Sequence, residues 1–273
     1  MTTAVGTVRD AIGAAADALG AAGCDTPRLD AELLVAAALG MPRERLHLEP
    51  ESGVPPRAAR VASEFIRRRA RREPVAYILG RRGFRHIDVA VDARVLIPRP
   101  ETELLVEVAL ELPAGARVHD VGTGSGAIAL AIADERPDLV VSASDASRAA
   151  VDAARANAAR LGLAVAVEHA AGLPETSRDA DLVVANLPYV TEAEWAGLAP
   201  EIVRYEPREA LVSGDDGLDA IRALVAGAPR GLRMALEHAP SQTAAVREML
   251  AEPRTLEDLA GRERVTRGRV LNT

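Results

Sequence analysis

The chain of 273 residues is 48% hydrophobic and 27% charged, enough apolar material for one large core or two modest ones. Its net charge of −7 argues against a whole-protein nucleic-acid binder, and no apolar run approaches the ~18 residues that span a bilayer. Cys24 is the only cysteine, lysine is absent, and His47, His86, His119, His169 and His238 lack ligand spacing; this excludes a disulfide framework, catalytic lysine chemistry and a recognisable metal cluster. Arg9, Asp10 and Asp17 interrupt the Ala-rich start, so no signal peptide is expected and a metal-free cytoplasmic protein is.

Residues 1–73 carry helical periodicity. Val8, Ile12, Ala15 and Leu19 recur at spacings of three and four. Thr26-Pro27 reads as an N-cap with a first-turn proline, opening a helix with Leu29, Leu33, Leu34 and Ala37 on its apolar side. Val61, Phe65 and Ile66 mark a third helix, ended near Glu73-Pro74. Three such stripes need one another for burial, so a small helical bundle is expected. Between 54 and 99, twelve arginines face four acidic residues, leaving +8 there and −15 elsewhere. That excess is either a solvated helix face or a patch that docks an acidic protein or RNA.

Residues 74–100 read as a β-hairpin linker, punctuated by Gly80 and Gly83, with Ile87 to Val91 alternating before Val95-Leu96-Ile97. Pro98-Arg99-Pro100 sets a stiff entry to a helix from Glu101 through Leu112. The rest, within a domain spanning 101–273, is βαβ: strands at 117–121, 139–144, 165–167, 181–185 and 233–237, helices at 127–134, 147–161 and 218–225, and a late edge strand at 264–270. The fold class is α/β, a doubly wound Rossmann-like sheet that binds ligands at the carboxyl ends of its strands.

Two motifs fall at such ends. Asp120-Val121-Gly122-Thr123-Gly124-Ser125-Gly126 is a strand-to-helix turn stripped of side chains so that a cofactor can approach the backbone. With Ala127 it also satisfies the looser fingerprint of nicotinamide-dinucleotide enzymes. Asp145 ends the next strand and suits ribose hydroxyls, or caps the helix opening near Ser147. Asn186-Leu187-Pro188-Tyr189 suits a plain turn, yet it also offers two acceptors, the Asn side-chain oxygen and the next backbone carbonyl. Two acceptors can hold both N–H groups of a planar –NH2 and aim its nitrogen at an electrophile, with Tyr189 packing against the plane. Together the motifs read as an S-adenosylmethionine (AdoMet) site facing an amide or amine nitrogen. A nicotinamide oxidoreductase is the competing reading, but no proton donor for it is evident; a non-catalytic module would bind AdoMet without turnover. His119 and His238, each inside an apolar strand, read as satisfied core histidines, and Cys24 as a small buried residue.

Several blocks together resemble the HemK/PrmC family, the protein-(glutamine-N5) methyltransferases that modify class I peptide-release factors. They are 73–80 with Phe84, Leu96-Ile97-Pro98-Arg99-Pro100-Glu101-Thr102-Glu103, the glycine loop, Asn186–Tyr189, Tyr205-Glu206-Pro207-Arg208, 214–219 and 258–262, across about 200 residues. The resemblance implies a Rossmann-like AdoMet-dependent methyltransferase domain after a helical domain that helps recognise the release factor. By position, Gly122, Thr123, Gly124, Ser125 and Gly126 would wrap the methionine end of S-adenosylmethionine, Asp145 would hold the ribose, and Leu173 would lie on the adenine side. Asn186, Leu187, Pro188 and Tyr189 would grip the glutamine of a Gly-Gly-Gln loop, with Asn186 also beside the cofactor and Asn186 and Tyr189 catalytic. The arginines of 57–85 would then face the release factor.

Two departures stand out. The family usually reads Asn-Pro-Pro-Tyr; Leu187 replaces the first proline, keeping the accepting carbonyl but not the ring's rigidity. Ala170-Ala171-Gly172-Leu173 stands where the family often has Gly-Asp. Asn-Leu-Pro-Tyr also resembles the motif of rRNA adenine N6-methyltransferases, which is the alternative function. The expected protein is a monomer with a protein substrate, no membrane partner and no direct nucleic-acid binding.

Overall fold

The computed structural model describes residues 6–271. Two compact units form, the first reaching Gly80 and taking in Ala199–Tyr205, the second comprising Arg81–Leu198 and Glu206 onward.

The first unit is helical: α1 (Val8–Ala21), α2 (Pro27–Leu39), α3 (Arg43–Leu48), α4 (Pro56–Ala70) and α5 (Val75–Leu79). A capping box starts α1, Thr7 accepting from the Asp10 amide while the Asp10 carboxylate accepts from that of Thr7. Val8, Ile12, Ala15 and Leu19 are all buried, and they share a core with Ala31, Val35, Leu46 and Ala58. On α2 the expected apolar side is rotated: Leu29 is 40% exposed while Asp30 is 5% exposed. The cause is an ion pair, because the buried Arg69 guanidinium on α4 donates to Asp30 at 2.6 Å. Thr26 makes no cap to the backbone either; its hydroxyl donates to the Asp30 carboxylate at 2.9 Å.

The second unit begins with a hairpin of β1 (Arg81–Phe84) and β2 (Ile87–Ala90), and continues through a 3₁₀ turn at Pro100–Thr102 into α6 (Glu103–Leu110). There follow β3 (Arg117–Val121), α7 (Ala127–Glu135), β4 (Val140–Asp145), α8 (Arg148–Leu161), β5 (Ala166–His169) and β6 (Leu182–Ala185). Past the short α9 (Glu192–Trp195), α10 (Pro200–Tyr205) belongs to the first unit. Then come α11 (Asp219–Gly227), β7 (Arg233–Glu237), α12 (Thr243–Glu248), β8 (Leu250–Glu257) and β9 (Glu263–Val270). The sequence divisions at 73 and 100 thus differ from these limits: 75–79 is a helix of the first unit, and the hairpin lies in the second.

The seven-stranded sheet has the order β5-β4-β3-β6-β7-β9-β8, parallel from β5 to β7 and antiparallel beyond. The expected late edge strand is therefore interior, since β8 pairs on its outer side. β8 was illegible because Pro253 and charged residues break its alternation, features that suit an edge, and its register shifts between Ala251 and Arg254. Val95–Ile97 forms no strand; the Ile97 amide donates instead to the Glu206 carboxylate at 3.1 Å. Among the described residues no helix is long and apolar enough to cross a membrane.

Candidate active site

The chain turns from β3 to β4 on one side and later returns to β6 on the other, so β3 sits at the switch point of the sheet. Ligands of such sheets bind where the carboxyl ends diverge. There a cleft of ≈ 650 Å³ opens, lined by Gly122 and Gly124 after β3, Asp145 after β4, and Asn186, Leu187 and Pro188 after β6.

The glycine loop is shaped by backbone that only glycine adopts freely. Gly122, Gly124 and Gly126 have φ of 75°, 55° and 86°. A Cβ on Gly122 would stand 2.9 Å from Leu187 Cδ2, and one on Gly126 2.9 Å from Leu130 Cδ1, whereas one on Gly124 would meet nothing within 4 Å. The outer two glycines permit tight packing, and the middle one presents bare backbone to the cleft. The loop is fastened by Thr123, whose hydroxyl donates to Asp120 Oδ2 at 2.6 Å, and by Asn157 Nδ2 donating to the Ser125 carbonyl at 2.9 Å. Asp145 accepts from the Gly124 amide at 2.9 Å and the Ser147 amide at 2.8 Å. Each of its oxygens retains a lone pair for a hydroxyl of a bound ligand. A bare-backbone cradle beside a partly satisfied carboxylate fits a ribose-bearing cofactor.

Thr123, Ser125 and Gly126 are thus supports beneath the loop rather than cleft lining. The Leu173 side chain packs against the core, and its neighbours Ala170, Ala171 and Gly172 line the cleft. Asp120 is wholly buried, with no partner for Oδ1; burial pushes its carboxyl up to about 7 despite the Thr123 hydroxyl.

At the other wall, Asn186 Nδ2 donates to Thr102 Oγ1 at 3.0 Å. Pro188 lines the cleft, but Tyr189 stands behind it, its hydroxyl donating to Glu237 Oε1 at 3.3 Å. Burial first, and then the Glu237 charge, lift the Tyr189 hydroxyl far above the usual tyrosine range. The Tyr189 carbonyl accepts from Gln242 Nε2 at 2.9 Å, and the same amide reaches the Asp216 carbonyl at 3.0 Å. Glu237 and Gln242 were not singled out from sequence, and Thr102 and Glu206 entered only as members of the family blocks. Glu206 accepts from the Ile97 amide at 3.1 Å and from Arg99 at 2.5 Å, joining two charged blocks that no spacing rule connects.

His119 bonds Ser142 and Ser177 through Nδ1 at 2.8 Å and Ser144 through Nε2 at 2.9 Å; burial depresses it to about 4, so it is neutral. His238 Nε2 is held by Thr266 at 2.8 Å. Both are core histidines, as the sequence suggested.

Residues 10–80 match the family model of the PrmC N-terminal domain, and 100–216 that of the methyltransferase small domain. A release factor glutamine methyltransferase of Xylella fastidiosa is 45% identical over 256 residues, covering 89% of this chain and 93% of that protein. That of Pseudomonas aeruginosa is 47% identical over 259 residues (89% and 94%), and that of Mycolicibacterium smegmatis 40% over 268 residues (95% and 94%). In fold, the chain resembles the hMettl16 catalytic domain, with a TM-score of 0.54 at 13% identity over 80% of this chain and 82% of that one. The glycine cradle, the Asn-Leu-Pro-Tyr turn and a likeness to these proteins over nearly their whole length agree: the chain belongs to the release factor glutamine methyltransferase family.

Proposed function

We propose that this protein transfers the methyl group of AdoMet to the side-chain amide nitrogen (N5) of the glutamine in the Gly-Gly-Gln loop of a class I peptide-release factor. The observation that carries the reading is the fixed Asn186 amide. With its Nδ2 engaged by Thr102, Oδ1 is left to accept, and Asn186 and Leu187, whose backbone carbonyl would be the second acceptor, line the cleft together with the glycine loop. Two acceptors there match the two N–H groups of a primary amide.

Gly122, Gly124, Asp145 and the Ala170–Gly172 segment would hold the cofactor, which when bound supplies a methyl group on an electron-poor sulfonium. The protein's part is orientation. A carboxamide nitrogen is a weak nucleophile because its lone pair is delocalised into the carbonyl. Accepting both N–H bonds raises electron density on nitrogen and holds it in line at ~3 Å, while the apolar walls exclude water. No base need act before the transfer: methylation makes the nitrogen cationic, and its surplus proton then passes to solvent.

The helical first unit would help recognise the release factor. Its surplus of arginine is smaller than the sequence implies: Arg68 pairs with Glu73, and Arg69 and Arg72 with Glu201. Among the described residues of that unit, Arg43, Arg57, Arg60, Arg71 and Arg204 have no ion-pair partner; Arg57, Arg60 and Arg71, within the arginine-rich stretch, would supply the docking charge. Peptide mass spectrometry of a release factor incubated with enzyme and AdoMet tests the function; one added methyl on the Gly-Gly-Gln glutamine is expected, and an unmodified peptide contradicts it.

A further inference from the structure

At the end of the sheet opposite the cleft lies a second groove, of ≈ 620 Å³. Val108 of α6 and Leu182 of β6, both buried, form its floor. Its rim carries Arg233 of β7, Arg254 of β8, and Arg267 and Arg269 of β9. Glu111 pairs with Arg267. Among the described residues no carboxylate pairs with the other three, and Arg269 donates only to the Gly231 carbonyl at 3.2 Å. Glu252 also lines the groove and forms no ion pair there.

The register makes this arrangement costly. Arg233 stands directly opposite Arg269, and Arg254 directly opposite Arg267. Side chains alternate between the faces of a sheet, so Arg267 and Arg269 share one face, and their cross-strand partners share it with them. Like charges directly opposite each other destabilise a sheet. Arg254 reaches this face only through a bulge. Ala251 pairs with Arg269, so an unbroken ladder would set Arg254 against Thr266, on the opposite face with buried His238. The register shift between Ala251 and Arg254 sets it against Arg267 instead, with Glu252 in the left-handed region at φ 51°. That region strains any residue but glycine. Pro253 has no N–H to donate, which accounts for the break in the ladder but not for the arginines gathered around it.

A ligand with several negative charges offsets repulsion and strain together. Neighbouring strands lie about 4.8 Å apart and alternate residues of a strand about 7 Å apart, so the four guanidinium groups converge on a small area. Guanidinium forks suit phosphate oxygens, and a short groove with an apolar floor suits a compact ligand rather than a long strand of nucleic acid. We propose that this groove is a binding site for a chain of phosphates, either that of a nucleoside polyphosphate with its base or sugar on the apolar floor, or free inorganic polyphosphate. Arg233 begins β7, whereas AdoMet would bind at the carboxyl ends of the strands, so the two ligands do not exclude each other.

Isothermal titration of the AdoMet-saturated protein with ATP, inorganic tripolyphosphate and AMP tests the site. ATP and tripolyphosphate should bind the wild type at low salt at least about tenfold more tightly than AMP. Tighter binding of ATP than of tripolyphosphate assigns the nucleotide, and equal or weaker binding of ATP the free polyphosphate. Arg233→Ala/Arg254→Ala should lose at least about tenfold in that affinity, and Arg254→Glu, on the exposed edge strand, should abolish it. Because the double substitution removes opposed like charges, the ligand-free variant should melt no lower than the wild type. Absence of binding, binding seen only without AdoMet, or wild-type affinity in either variant overturns the proposal. An RNA oligonucleotide that binds this groove more tightly than both phosphate probes also overturns it.

Discussion

Gly217 lies directly against Tyr189: a Cβ at Gly217 would stand 2.1 Å from the Tyr189 carbonyl oxygen. Its φ of 75° is a second reason for glycine. The turn that presents Asn186 to the cleft is thus braced by a block almost thirty residues away. Gly217→Ala should displace Tyr189 and lower kcat at least about tenfold, since small misplacements of orienting groups are costly. Steady-state kinetics with circular dichroism checks this; a folded variant with normal kcat contradicts it.

Asn186→Ala removes one of the two acceptors but no part of the glycine cradle. Transfer should fall by about a hundredfold or more, with AdoMet affinity nearly unchanged. Calorimetric AdoMet titration beside a transfer assay separates the two effects. Equal losses in binding and turnover would place Asn186 at the cofactor alone.

In the helical unit, Glu201 joins Arg69 and Arg72 at 2.7 Å each. The pairing with Arg72 and Arg69 outweighs burial and holds its carboxyl at about 2, against an ordinary 4.5. A depressed carboxylate stabilises the fold above its unfolded value, and that contribution disappears as pH falls from about 4.5 toward 2. Glu201→Gln leaves Arg69 buried with one of its two carboxylate partners and should cost about 3 kcal/mol. Urea denaturation at pH 7 and pH 3 checks it: the difference between variant and wild type should shrink at the lower pH.

Asp120 has the opposite sign. Its folded value of about 7 lies above an ordinary 3.8, so between them the folded chain holds the proton more tightly than the unfolded one. Its contribution to stability is lost as pH rises through that window and stays unfavourable above it. Thermal melts of the cofactor-free protein at pH 5 and 8 should show a larger drop for wild type than for Asp120→Asn. Equal drops would mean that Asp120 does not titrate there.

The sheet was legible because its parallel strands are buried on both faces and read as unbroken apolar runs; Leu182–Ala185 is the clearest, every residue buried. The glycine loop and the Asn-Leu-Pro-Tyr turn were legible because strand ends of such sheets are where ligands bind. What sequence did not reveal is the layer behind the site. Thr102, Glu237 and Gln242 meet Asn186 and Tyr189 from three separate segments, and no local period encodes those contacts. Asp30 was missed for the same reason, its partner Arg69 lying 39 residues on. Leu173 packs against the core beside the lining residues Ala170, Ala171 and Gly172, a placement that no local pattern encodes.

The central claim is that a fixed Asn186 amide presents a glutamine side chain to AdoMet. Transfer of label from AdoMet to a purified release factor, to the same factor with its Gly-Gly-Gln glutamine changed to alanine, and by Asn186→Ala enzyme tests it most directly. Label on the unaltered factor with wild-type enzyme, and on neither of the other two pairings, is the predicted result. Label that persists on the alanine factor, or that Asn186→Ala enzyme transfers at the wild-type rate, contradicts it.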